Sequence, residues 1–189
     1  MSDFSLKKQI TKRDLKRVIP DVNIVNYPNL VTDVEKLGVK KAFLKLFRKT
    51  NNVVIGIVDP TDPHKGHWQA LKLNPDKKEI YFFCTFGEAP DISKSTWMLN
   101  SEDREKSHQM RNVLEEGIKE YIKDGYKLFY NKKKYQKPGD NSLTCGLWDA
   151  AFLISGKKPK EFNDEVVGLR KQKINVEEHY YKKIFEKDK

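Results

Sequence analysis

The chain has little cysteine. Two residues, Cys84 and Cys145, serve 189 positions. That excludes a disulfide-stapled scaffold, which carries many more in a secreted chain of this size, and it points to a reducing compartment. Long apolar runs are missing too. No stretch approaches the roughly 20 residues that a membrane-spanning helix needs, and Met1–Ser5 shows no apolar signal-peptide core. The expectation is a soluble protein working inside a cell or a particle assembled there. Repeats, low-complexity tracts and Gly/Ser linkers are also absent, so one domain over residues 1–189 is the simplest organisation. Acidic residues are outnumbered: 27 Asp and Glu face 37 Lys and Arg, a formal net charge of +10. Such a surface attracts polyanions, although net charge by itself also serves solubility alone.

What is present is globular in character. Hydrophobic residues make up 38% and aromatics 11%, enough to build a core and too many for a disordered chain. Thr11 followed by Asp14 reads as a capping box, with Leu15, Val18 and Ile19 forming an apolar stripe that Pro20 ends. Residues 31–48 have helical spacing, with Gly38 as a candidate break. The β-branched run 52–58 predicts a buried strand, and residues 59–66 are turn chemistry. Residues 67–73 and 79–84, joined by Asn74–Lys78, predict an antiparallel hairpin. A helix over 102–123, a short strand at 126–130, a polar loop over 132–141, a buried helix from Cys145 to Ile154 and a basic C-terminal helix complete the pattern. The class is α+β: a small, mostly antiparallel sheet flanked by helices.

Two residue types carry the chemistry. A cysteine acts as a nucleophile through its thiolate, which a nearby imidazolium or a helix N-terminus favours. Cys145 sits at a predicted helix start. Residues 141–144 are available to cap that helix, and Gly146 would permit close approach of a substrate backbone. Read alone, a buried cysteine is more often an inert core residue. Of the four histidines, His67 begins a strand directly after a turn, a rigid platform from which an imidazole reaches a facing helix. Alone, it reads as a surface histidine.

Together the residues carry a resemblance. His67-Trp68-Gln69-Ala70, then Asn74-Pro75, Lys78, Tyr81, Phe83 and Phe86-Gly87 resemble, without a gap, the histidine block of the adenovirus-type maturation cysteine proteases. Residues 141–147, around Cys145-Gly146, resemble that family's nucleophile block, and Tyr135-Gln136 its oxyanion glutamine. The same order occurs in SUMO-protease relatives and in proteases of virophages, mobile elements and large DNA viruses. The resemblance implies a papain-like fold of the adenain/SUMO-protease type. It implies His67 as general base, Cys145 as nucleophile, Gln136 as oxyanion donor and Trp68 as a neighbour shielding the centre.

Two departures stand out. Cys84 occupies the position where the family usually has a carboxylate, so the resemblance implies either a Cys–His dyad or an acid recruited from Asp59, Asp62, Glu88 or Asp91. The spacing from Gln136 to Cys145 is two residues longer, which residues 137–140 can absorb as a turn. Cys84 is also open to two readings, a small core residue or an oxidative partner of Cys145.

The implied activity is cleavage of capsid or other virion precursor proteins during particle maturation, in the virion and the host-cell cytoplasm at the assembly site. The protein is expected to be a monomer without membrane association, needing no cofactor for the chemistry. Non-specific DNA is an expected partner and stimulant, through Lys12–Arg17, Lys132–Lys134 and the C-terminal basic residues. The alternatives are a deubiquitinase- or deSUMOylase-like isopeptidase, and an inactive pseudoprotease with a structural or DNA-binding role in the virion.

Overall fold

The computed structural model describes residues 10–58, 66–91, 111–136 and 144–186. They form one five-stranded sheet, in chain order from edge to edge: β1 (Asn23–Asn26), β2 (Asn52–Val58), β3 (Gly66–Asn74), β4 (Glu79–Cys84) and β5 (Lys127–Tyr130). The centre is antiparallel, β2 with β3 and β3 with β4, and the expected hairpin closes through the turn at residues 75–78. Both edges are parallel: β1 pairs with β2, and β5 with β4.

Parallel neighbours need crossover connections. Helices α2 (Tyr27–Leu37) and α3 (Val39–Leu46) supply one, and α4 (Val113–Lys123) lies in the other. Gly38 separates α2 from α3 at φ +81°, a conformation that glycine adopts without a Cβ penalty. The expected break in the 31–48 helix is therefore real. The expected 102–123 helix is observed from Val113, its earlier part lying outside the described residues. β1 has no sequence counterpart among the expectations. Four residues, only partly buried, are too few to show a period of two.

Both faces of the sheet are covered. Ile55, Ile57, Leu71, Phe82 and Cys84 meet α2, α3 and α4 on one face. Val54, Ala70, Tyr81 and Phe83 meet α1 (Lys12–Val18), α5 (Cys145–Ser155), α6 (Pro159–Lys171) and α7 (Val176–Phe185) on the other. Double coverage is why β2 and β4 read as continuous apolar runs rather than alternating ones. The capping box of α1 forms as expected: Thr11 Oγ1 accepts from the Asp14 backbone N–H, and Asp14 accepts from the Thr11 N–H. The single C-terminal helix expected from the sequence is two, with the break at residues 172–175. Among the described residues no helix is long and apolar enough to cross a membrane.

Candidate active site

Gln69 on β3 is directly opposite Cys84 on β4, so both side chains share a face. His67, two residues earlier on β3, is the diagonal neighbour of Cys84 on that face. Its Nε2 stands 3.3 Å from Cys84 Sγ, and Gln69 Nε2 donates to the same sulfur at 3.7 Å. Phe86 packs against the imidazole with ring centroids 4.6 Å apart. The histidine is 3% exposed, and burial pushes its pKa down from 6.5 to about 3, so it is neutral at rest. Burial likewise raises the Cys84 thiol to about 12. Cys84 therefore faces His67 as a neutral thiol.

Helix α5 packs on the opposite face, and its first residue comes up beside the start of β3. Burial dominates the Cys145 thiol, while the nearby backbone N–H groups of Trp68, Gly146 and Cys145 itself favour the thiolate. With Asp149 adding to burial, the thiol rises to about 12. Trp68 is half-buried, its ring against Gly56.

Two local expectations are corrected. Thr144 is the N-cap residue but makes no side-chain cap, because its hydroxyl accepts a hydrogen bond from Gln136 Nε2 at 3.1 Å instead. Residues 141–143 lie outside the described residues. Gly146 packs against the protein on the side of its missing side chain: a Cβ there would stand 2.9 Å from Ile10 Cβ, so glycine lets Ile10 lie against α5.

Gln136 is brought to this end of the sheet by Thr85, the residue after β4. The Thr85 carbonyl accepts the backbone N–H groups of Tyr135 and Gln136, at 2.7 and 3.1 Å. The Thr85 hydroxyl donates to Gln136 Oε1. Asn131 fixes the same turn from the other side. Its Oδ1 accepts from Cys84 N, and its Nδ2 donates to the carbonyls of Cys84 and Lys133. Gly87, at φ +69°, lets the chain pass against the Lys132 carbonyl.

Two of the acids proposed as substitutes for a carboxylate at position 84, Asp91 and Glu88, lie among the described residues. Asp91 accepts from Asn112 at 2.7 Å, at the start of α4. Glu88 raises the Cys84 thiol through its charge. Asp59 and Asp62 lie outside the described residues. Burial is the cause of the His67 shift. Asp149, one helical turn after Cys145, escaped the sequence reasoning. It is fully buried, with no hydrogen-bond partner among the described residues for either carboxylate oxygen. Burial holds its pKa well above the usual range. Thr85 and Asn131 escaped as well, since nothing local marks a threonine or an asparagine as the clamp of a distant residue.

Among the described residues no group of three His, Cys, Asp or Glu side chains could hold a metal ion. Both cysteines are free. The basic α1 packs against α7, with Arg17 donating to the Phe185 carbonyl, and the Lys132 and Lys133 backbone lies beside Gly87.

No family model matches the chain. Uncharacterized protein V9 of Sputnik virophage is 34% identical over 134 residues, covering 69% of this chain and 66% of that protein. The SUMO protease Ulp1, with its catalytic cysteine oxidized to a sulfenic acid, is 16% identical with a TM-score of 0.39, covering 78% of this chain and 64% of that one. The central domain of an uncharacterized Legionella pneumophila protein is 12% identical with a TM-score of 0.43, over 94% and 98% of the two chains. The Chlamydia abortus effector ChlaDUB is 15% identical with a TM-score of 0.31, over 66% and 60%. At these scores the structural likenesses carry no functional weight.

Proposed function

We propose that this chain is a cysteine endopeptidase that cleaves capsid or other virion precursor proteins during particle maturation. The observation that carries the reading is the approach of the Trp68 N–H to the Cys145 thiol. It supports a nucleophile at a helix N-terminus close to the strand that carries the buried His67 imidazole. Gln136 reaches Thr144, the residue next to Cys145, from the other side. The histidine and nucleophile blocks resemble those of adenovirus-type proteases, and the similarity to a virophage protein agrees with a viral setting.

Burial favours a neutral thiol and a neutral imidazole at rest. The proton therefore leaves Cys145 Sγ for His67 as sulfur attacks the scissile carbonyl, rather than beforehand. With Nε2 turned to Cys84, Nδ1 takes that proton while Nε2–H donates to the Cys84 sulfur. The tetrahedral oxyanion accepts from Gln136 Nε2 and the Cys145 N–H. Collapse expels the amine, which takes the proton from His67 and leaves a thioester. Water, deprotonated by His67, then releases the acid and restores the thiol.

The protein works as a monomer at the assembly site and in the virion, without a cofactor for the chemistry. DNA binds by its backbone through the α1 cations Arg13, Lys16 and Arg17 and through Lys132–Lys134, so the association weakens steeply with salt.

The test is incubation of the full chain with virion precursor polypeptides and a proteome-derived peptide library, with new termini read by mass spectrometry. Termini made by wild type and lost in Cys145→Ala and His67→Ala support the reading. Release confined to a panel of ubiquitin-like proteins with Gly-Gly tails would make it an isopeptidase. No cleavage by wild type at any pH would make it a pseudoprotease.

A further inference from the structure

A glutamine amide is nearly symmetric in shape and opposite in polarity at its two ends. Only the NH2 end can stabilise an oxyanion, and the same side chain turned over would repel it. An oxyanion glutamine therefore needs something to fix its sense. We infer that Thr85 is a positioning residue that sets the sense of the Gln136 amide, an inference that rests on reading the site as an acyl-transfer centre.

Thr85 is fully buried and grips Gln136 twice. Its carbonyl receives the Tyr135 and Gln136 N–H groups, which fixes where the Gln136 backbone lies. Its hydroxyl meets Gln136 Oε1 at 2.5 Å, while Gln136 Nε2 meets Thr144 Oγ1 at 3.1 Å. Hydroxyls can donate or accept, so a hydrogen-bonded pair of them does not by itself choose a sense. In the structure the Thr85 hydroxyl donates to Oε1 and the Thr144 hydroxyl accepts from Nε2. Oε1 is thus held toward β4 and away from the nucleophile. Nε2 is held toward Thr144, at the first turn of the helix that carries Cys145.

Thr85 also follows Cys84, so one turn carries two functions. Residue 84 meets His67, and residue 85 orients the oxyanion donor. The turn is itself fixed by Asn131, which bonds both the N–H and the carbonyl of Cys84. A shift in this turn would move the Cys84 contact of His67 and the Gln136 donor together.

The experiment compares two reactions of Cys145 in the full chain. Acylation by p-nitrophenyl acetate passes through an oxyanion, whereas alkylation by iodoacetamide does not. Thr85→Val keeps the shape and removes the hydroxyl, Thr85→Ser restores it, and Gln136→Ala removes the donor outright. The expected result is an acylation rate about 10- to 100-fold lower in Thr85→Val, short of the about 100- to 1,000-fold loss that removing an oxyanion donor causes. Thr85→Ser should be near wild type, and alkylation should be unchanged in both Thr85 variants. Acylation by Thr85→Val at the wild-type rate would overturn the inference. So would a parallel fall of acylation and alkylation, which marks a merely structural role. A wild type that acylates no faster than Gln136→Ala would overturn the acyl-transfer reading itself, and the inference with it.

Discussion

His67 Nε2 stands 3.3 Å from the sulfur of Cys84, so a thiol meets the imidazole at the position where the adenovirus-type proteases that the sequence resembles usually have a carboxylate. A buried neutral thiol is a weak acceptor and supplies no charge to stabilise an imidazolium. Cys84→Ala should therefore cost cleavage less than about tenfold, far below the loss of about 10,000-fold seen when a triad carboxylate is neutralised. Cys84→Asp should raise the His67 pKa, measurable by NMR titration, and speed alkylation of Cys145 at neutral pH. An Asp variant with an unmoved histidine would mean that Cys84 has no part in orienting the ring.

Neutral His67 makes the fold sensitive to acid. Its folded pKa of about 3 lies below the unfolded 6.5, so between those values the unfolded chain binds the extra proton. Stability is full above pH 6.5 and is lost as pH falls toward 3, by up to about 5 kcal/mol at roughly 1.4 kcal/mol per pH unit. Urea unfolding from pH 7 to pH 3 should show this slope, and His67→Gln should flatten it.

Asp149 acts with the opposite sign. Its folded pKa is raised, so above the usual carboxylate value the folded state holds a proton that the unfolded chain has released. Stability falls as pH rises from about 4, by at most roughly 1.4 kcal/mol per pH unit, until the folded state releases the proton too. Asp149→Asn should match wild type near pH 3 and exceed it at pH 7. A gain that is the same at both pH values would mean that Asp149 does not titrate in the folded state.

Gly117 on α4 faces the ring of Phe43 on α3, and a Cβ there would lie 2.1 Å from that ring. Phe43 is itself buried, so it cannot simply turn away. Gly117→Ala should destabilise by at least the about 1–3 kcal/mol typical of overpacking. Phe43→Leu in the same chain should recover part of it, giving a coupling in a double-mutant cycle of thermal unfolding.

Much of the site can be read from residue order because its parts are local. His67, Trp68 and Cys84 lie on one hairpin, whose register follows from a short turn and alternating side chains, and Cys145 opens a helix with a strong apolar pattern. The capping box of α1 and the break at Gly38 are legible for the same reason: cap chemistry and glycine geometry act within a few residues. β1 is not legible, since four half-buried residues owe their strand state to the neighbouring β2.

Short-range sterics and periodicity are enough to place the reactive residue types in order along the chain and to build the hairpin that carries His67 and Cys84. What surrounds those residues is a matter of tertiary packing. Packing turned Gly146 toward Ile10, gave the Thr144 hydroxyl to Gln136 rather than to the helix, and made Thr85 the clamp of a residue 51 positions away. It also buried His67, Cys145 and Asp149, and so set their protonation. Desolvation and long-range hydrogen bonds depend on which elements pack around a group, and no local pattern encodes that.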